Sequence, residues 1–236
     1  MKKLAPLGLI VALLVGTIAV TISPTSVHAQ GAGLVSSLLN NMERNRRSLT
    51  SLRANLSMEK YNAQIRDTDR YSGKVVYKPA AGRSAYVRVD WQKPLGEILA
   101  VADGQYTLYK SRLNTAYIGS AKPKSGPSGK MNSALEFLNM SRQQLVARFE
   151  PLQDIYEETL WGGVRTTHIK LVPKAGASYK YAEVWVDGNG MPIQTKVVEK
   201  NDDATTVRLT EVERNAGVSL DEFRLQLGSD VKKIKS

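Results

Sequence analysis

The chain has 236 residues and no cysteine, which excludes disulfides, cysteine-ligated metal sites and lipid attachment at a cysteine. Its 33 Lys and Arg against 22 Asp and Glu leave a formal charge of +11. Such a balance suits anionic headgroups or an acidic partner, or only keeps the surface soluble. The chain opens MKKLAPLGLIVALLVGTIAVTISPTSVHAQ: two lysines, an apolar run from Leu7 to Val20, and Val27-His28-Ala29. That is the layout of a secretory signal peptide, residues 1–29, with cleavage expected after Ala29; an uncleaved anchor is the alternative. Export makes nucleic acid an unexpected partner despite the basic charge.

In "GLVSSLLNNMERNRRS", residues 33–48, Leu34, Val35, Leu38, Leu39 and Met42 recur at helical spacing, so an amphipathic first helix is expected. Strand-length segments separated by turn chemistry follow, near 51–65, 70–78, 84–91, 96–102, 105–110 and 113–119. The turns between them include "RDTD", "PAAG" and Asp103-Gly104. Residues 119–130, "GSAKPKSGPSGK", read as a basic loop. Two short helices come next, because Ser133 with Glu136 and Ser141 with Gln144 have capping-box spacing. Met131, Ala134, Leu135, Leu138, Leu145, Val146 and Phe149 fall on their apolar faces, and Pro151 ends the second. Strands resume near 152–160, 163–173, 179–187, 191–200 and 203–214, with a last extended piece at 222–227. So many strands in one domain, 30–236, must curl, and the amphipathic helices are the material available to cover the curl.

Chemistry is hard to place on this frame. His168 stands in a strand with no nucleophile set beside it by a recognisable motif, and reads as a satisfied or solvent-facing histidine. Glu157-Glu158 are adjacent strand residues on opposite faces, and Asp202-Asp203 sit in a hairpin turn. "GPSGKM" lacks the first glycine of a phosphate-binding loop, and "DGNG" is followed by a strand rather than a helix. The expectation is a protein that is not an enzyme and uses neither metal nor cofactor.

Several stretches, taken in order, resemble the periplasmic outer-membrane lipoprotein carriers of the LolA/LolB type. They are "GKVVYKP", "YVRVDWQKP", "EILAVADGQYTLY" and "VWVDGNGMPIQTKVVEKNDDATTVRLTEVERNAGVSLDEFRLQL", with Phe223 in the expected last strand. The resemblance covers nearly all of 33–231. It implies a mainly β fold, an unclosed, strongly bent antiparallel half-barrel of about eleven strands under short α-helices. It also implies a soluble periplasmic monomer that holds the acyl chains of lipoproteins, or another lipid, in an apolar cavity and delivers them to the outer membrane. The partners implied are an inner-membrane release complex and an outer-membrane acceptor. A non-carrying, lipid- or protein-sensing envelope module of the same fold is the alternative.

Alternation along the strands then nominates the cavity lining: Leu56, Met58, Val75, Tyr77, Val87, Val89, Ile98, Ala100, Leu108, Val184, Val186, Ile193 and Val197. Leu38, Met42, Leu135, Leu138 and Phe149 are expected on a helical lid. The carriers often have arginine where Lys78 stands, and the resemblance gives Lys78 a hydrogen bond that closes the lid. Arg88, Lys110, Arg112, Lys122, Lys124 and Lys130 are expected to serve docking.

Overall fold

The computed structural model describes residues 27–80, 85–121 and 135–235, with side chains from Gly33 onward. The expected signal peptide, apart from its last residues, lies outside the described residues, as do Lys122, Lys124, Lys130, Met131, Ser133 and Ala134. Helix α1 spans Val27–Ser48 and so begins six residues before the expected start at 33. Val27–Ala32 contains no proline, and its alanines favour helix. Leu38, Leu39 and Met42 are buried, whereas Leu34, on the first exposed turn, is half exposed.

Strands β1 (Leu52–Asn62), β2 (Asp67–Lys78), β3 (Tyr86–Lys93), β4 (Glu97–Ala102), β5 (Gln105–Lys110) and β6 (Thr115–Ser120) form one antiparallel meander. The β1–β2 turn falls at 63–66, ahead of the expected "RDTD". Asn62 decides this: its Oδ1 accepts from the backbone N–H of Gln64 (3.0 Å) and Ile65 (3.2 Å), turning the chain early. The β4–β5 turn is where the sequence puts it, with positive φ at both Asp103 (51°) and Gly104 (77°).

Helix α2 (Arg142–Arg148) follows Leu135–Met140. Ser141 caps it reciprocally with Gln144: Ser141 Oγ accepts from Gln144 N at 3.1 Å, and Ser141 N donates to Gln144 Oε1 at 2.8 Å. Replacing Ser141 with Ala is expected to cost about 1 kcal/mol of stability, read from a denaturant midpoint at unchanged m-value. Phe149 and Leu145 are buried, but Val146, expected on the apolar face, is exposed.

The second meander is β7 (Gln153–Leu160), β8 (Val164–Leu171), β9 (Tyr179–Asp187), β10 (Pro192–Glu199) and β11 (Ala204–Arg214). β11 returns to pair antiparallel with β1, so that with a last strand β12 (Lys232–Lys235) the sheet order is β12-β6-β5-β4-β3-β2-β1-β11-β10-β9-β8-β7. β6 and β7 therefore lie near opposite ends of the sheet. The expected extended piece at 222–227 is not a strand. Leu220–Phe223 form a 3-10 turn, and the last strand, β12 (Lys232–Lys235), pairs parallel with β6. The result is an open half-barrel of twelve strands, one more than the resemblance implies, with helices over one face.

That face holds the core in two parts. One joins β1–β6 and β11 with Leu49, Leu135 and Leu138. The other joins β8–β10 with Leu38, Leu39 and Met42 of α1 and with Phe137, Met140, Leu145 and Phe149. α1 rests directly on the β9–β10 turn. Gly190, at φ +80°, lies so close that a Cβ there would stand 2.3 Å from the carbonyl of Asn41. Asp187 holds this turn, its Oδ1 accepting from Asn189 N (2.9 Å) and Met191 N (2.8 Å).

Candidate binding face

Register decides which side chains share the helix-covered face. Leu52, Leu56 and Met58 of β1 pair across to Tyr77, Gly73 and Tyr71, and these in turn to Val87 and Trp91. On the other arm, Thr195 pairs with Val184, Val197 with Ala182, and Val186 with Thr167. Eleven of the thirteen nominated residues share this face: Leu56, Met58, Val75, Tyr77, Val87, Val89, Leu108, Val184, Val186, Ile193 and Val197, all buried.

Ile98 and Ala100 do not. Val89 pairs with Leu99 and Val87 with Val101, so Leu99 and Val101 face the helices and Ile98 and Ala100 face away. "EILAVA" is apolar on both sides because the C-terminal segment covers its outer face. There, Arg88, Ile98 and Tyr109 with Arg224, Leu225, Leu227 and Val231 line a cleft of about 360 Å³. Phe223, expected in a strand, is buried beside the Tyr86 ring (centroids 5.6 Å apart). Alternation alone could not choose a face for β4; pairing it with the unambiguous β3 could have done so. The same reasoning would have found Leu52, Trp91 and Tyr106.

The covered face is apolar with few polar interruptions. At its rim Glu97 and Lys110 form a cross-strand ion pair at 3.0 Å, so Lys110 is not an unpaired docking cation. Tyr71 lies nearby; burial first, then the charges of Asp69 and Glu97, raise its pKa against the opposing effect of Lys110. Deeper in, burial pushes the Tyr77 hydroxyl well above the usual phenol range. It therefore stays protonated and uncharged at physiological pH.

Leu38, Met42, Leu135, Leu138 and Phe149, the expected lid residues, are all buried against this face. Two hydrogen bonds join the helices: Arg142 N donates to Glu43 Oε2 (3.1 Å), and Arg142 Nη1 to Asn40 Oδ1 (2.6 Å). Lys78 stands apart from them. It follows Tyr77 and so points to the other face, where its Nζ donates to the carbonyl of Val218 at 3.4 Å. Arg88 is engaged too, with Asp90 at 3.0 Å and the carbonyl of Glu222 at 3.0 Å. Arg112 is exposed.

His168, Glu158 and Asp203, weighed for chemistry, have structural partners. His168 is buried on the outer face, with Nδ1 2.8 Å from the carbonyl of Asp154 and its ring between Tyr156 and Trp185. Glu158 accepts from Trp185 Nε1 at 2.6 Å, and Asp203 from Ala63 N at 2.9 Å. Among the described residues no group of three or more His, Asp or Glu is placed to hold a metal. Among them, too, no helix is long and apolar enough to cross a membrane.

An open, mainly antiparallel sheet with helices laid over one face, and an apolar interface between, defines a half-barrel class. No family model and no curated protein matches the sequence. Solved structures do match. MucB is 14% identical over 86% of this chain and 66% of its own, with a TM-score of 0.54. An uncharacterized conserved protein from Thermus thermophilus is 12% identical over 86% of this chain and 99% of its own, with a TM-score of 0.51. A LolA superfamily protein from Nitrosomonas europaea also matches, at 10% identity over 80% of this chain and 97% of its own, with a TM-score of 0.42. At these identities the likeness to MucB and to the Thermus thermophilus protein is one of fold alone.

Proposed function

We propose that the protein is a soluble periplasmic carrier that binds acyl chains, of lipoproteins or of another lipid, between the covered face of the sheet and its helices, and delivers them to the outer membrane. The observation that carries this reading is the composition of that interface. Both arms of the sheet present aliphatic and aromatic side chains to it, and its roof is helical, joined to itself by a few hydrogen bonds. A roof of this kind can lift without breaking the backbone ladder of the sheet. An acyl chain that replaces the helix contacts gains about 0.8 kcal/mol per buried methylene. It is held tightly, yet given up to a better apolar site without any covalent step. An inner-membrane release complex and an outer-membrane acceptor are the partners this reading requires.

A non-carrying binding module of the same fold is the second reading. It is favoured by the burial of Val89, Val184 and Val186, each at 0% exposure, as in a face packed for good. Mass spectrometry of the protein purified from its own periplasm separates the two. The carrier is expected to bring acylated species with it, and hydrogen exchange in α1 and α2 to slow when they are bound. Protein that arrives free of lipid, with helices as protected as the sheet at all times, establishes the module instead.

A further inference from the structure

α1 buries one side against the sheet and turns the other outward. Leu34, Ser37, Asn40, Asn41, Arg44 and Arg47 recur on that outer side at steps of three and four residues. From Ser37 onward they line, with Glu43, a shallow groove of about 570 Å³ along the helix. Glu43 is the one carboxylate in the lining, and it already accepts from Arg46, from Arg47 and from the backbone N–H of Arg142. Arg44 is exposed and donates to the neutral Asn41 Oδ1; among the described residues it meets no carboxylate. Arg47 is 74% exposed and engages Glu43 through Nε, which leaves the end of its fork outward. From α2, the exposed Arg142 adjoins the groove, its Nη1 2.6 Å from Asn40 Oδ1.

The groove thus gathers guanidinium, amide and hydroxyl donors with an excess of positive charge. A phosphate is the complement, since it accepts forked hydrogen bonds from guanidinium and further ones from Ser37 and Asn40 Nδ2. A free phosphate would leave the apolar neighbours unused. Leu34 is half exposed at the start of the same side of α1, and Val146, one turn beyond Arg142 on α2, is 59% exposed. Cations beside exposed apolar side chains suit the boundary between headgroups and acyl chains, whereas an acidic protein segment would answer the charge alone. We propose that this outer side of the roof docks on an anionic membrane surface, with phosphate headgroups in the groove of α1. Docking of this kind needs no acyl chain in the interface below, so it holds independently of the carrier reading. It places the docking cations on the helices rather than at Lys110 and Arg88, which pair with Glu97 and Asp90.

The test is co-sedimentation of the protein, purified from its periplasm, with vesicles of phosphatidylcholine alone or mixed with phosphatidylglycerol. The wild type is expected to sediment with the mixed vesicles, not with the neutral ones, and to be released as salt is raised. Arg44→Gln with Arg47→Gln is expected to weaken this binding roughly ten- to thirtyfold, about fivefold for each cation lost near an anionic surface. Arg66→Gln with Arg112→Gln removes the same charge from exposed sites elsewhere and is expected to cost less than about threefold. Arg44→Lys with Arg47→Lys keeps the charge and is expected to stay within about threefold of wild type. Glycerol phosphate at the concentration of the lipid carries the headgroup without the chains, and is expected not to displace the protein. Equal loss in the two glutamine pairs overturns the site, by showing that net charge alone is read. A loss in the lysine pair as large as in Arg44→Gln with Arg47→Gln does so too, by showing that the arginines only brace α1. Displacement by glycerol phosphate overturns membrane docking in favour of a soluble phosphate ester, and binding to soluble polyglutamate but not to vesicles overturns it in favour of an acidic protein.

Discussion

Gly190→Ala is expected to lower the stability of the protein by roughly 3 kcal/mol, and two separate effects add to that figure. The residue sits at φ +80°, where any Cβ meets its own backbone, at about 1–2 kcal/mol. The new methyl would also stand 2.3 Å from both the carbonyl carbon and oxygen of Asn41 and 2.7 Å from Met42 N. Those are backbone atoms, which cannot rotate away, so α1 must move off the β9–β10 turn, an overpacking cost of about 1–3 kcal/mol. Gly104→Ala supplies the control. Gly104 has φ +77° but no atom within 4 Å of the added Cβ, so only the conformational part applies. The difference between the two variants in urea denaturation measures the seating of α1 on the sheet. Hydrogen exchange in α1 should rise for Gly190→Ala alone. Equal losses for the two variants would mean that α1 does not depend on this contact.

The local features of the fold are legible because each is written in a few adjacent residues. Asp103-Gly104 specifies its turn by backbone preference, and Ser141 with Gln144 closes its capping box within four residues. The covered face is legible where one side of a strand is polar: Leu56 and Met58 alternate with Ser57 and Glu59, and the structure buries the first pair. Where both sides are apolar the period carries no choice, and alternation puts Ile98 and Ala100 of β4 on the wrong face. Non-local facts are out of reach for the same reason. Nothing in "KKIK" announces that it will pair parallel with β6, because the groups it satisfies lie more than a hundred residues earlier. Asn45 is a middle case. The break it makes in an apolar stripe is visible in the sequence, but only burial shows that the amide is turned inward without a partner.

Glu43 is expected to couple the two helices, and its removal to uncouple them. The carboxylate accepts from Arg46 Nη2 (2.7 Å), Arg46 Nε (3.0 Å), Arg47 Nε (2.8 Å) and, across to α2, the backbone N–H of Arg142 (3.1 Å). The hydrogen bond from Arg46 first, then those from Arg47 and Arg142, hold its pKa down at about 2 against the opposing effect of burial. A carboxyl whose folded pKa lies below its ordinary 4.5 contributes stability that is complete above 4.5 and is lost as pH falls from there through about 2. Glu43→Gln keeps the shape but loses the charge, and is expected to cost roughly 2 kcal/mol at neutral pH. The gap between variant and wild type should then narrow as the pH is lowered through that window. Glu59→Gln is the comparison, since Glu59 meets Arg70 at 3.0 Å with both side chains more than half exposed. It is expected to cost less than about 0.5 kcal/mol. If the helices form one roof, exchange should rise in Arg142–Arg148 as well as in α1 when Glu43 is replaced. Acyl probes should also leave the variant faster, because a roof in two parts opens more readily than a roof in one. A Glu43→Gln protein whose α2 stays fully protected would show that the carboxylate braces α1 alone, and a stability gap that is the same at pH 2 as at pH 7 would show that its charge does not contribute.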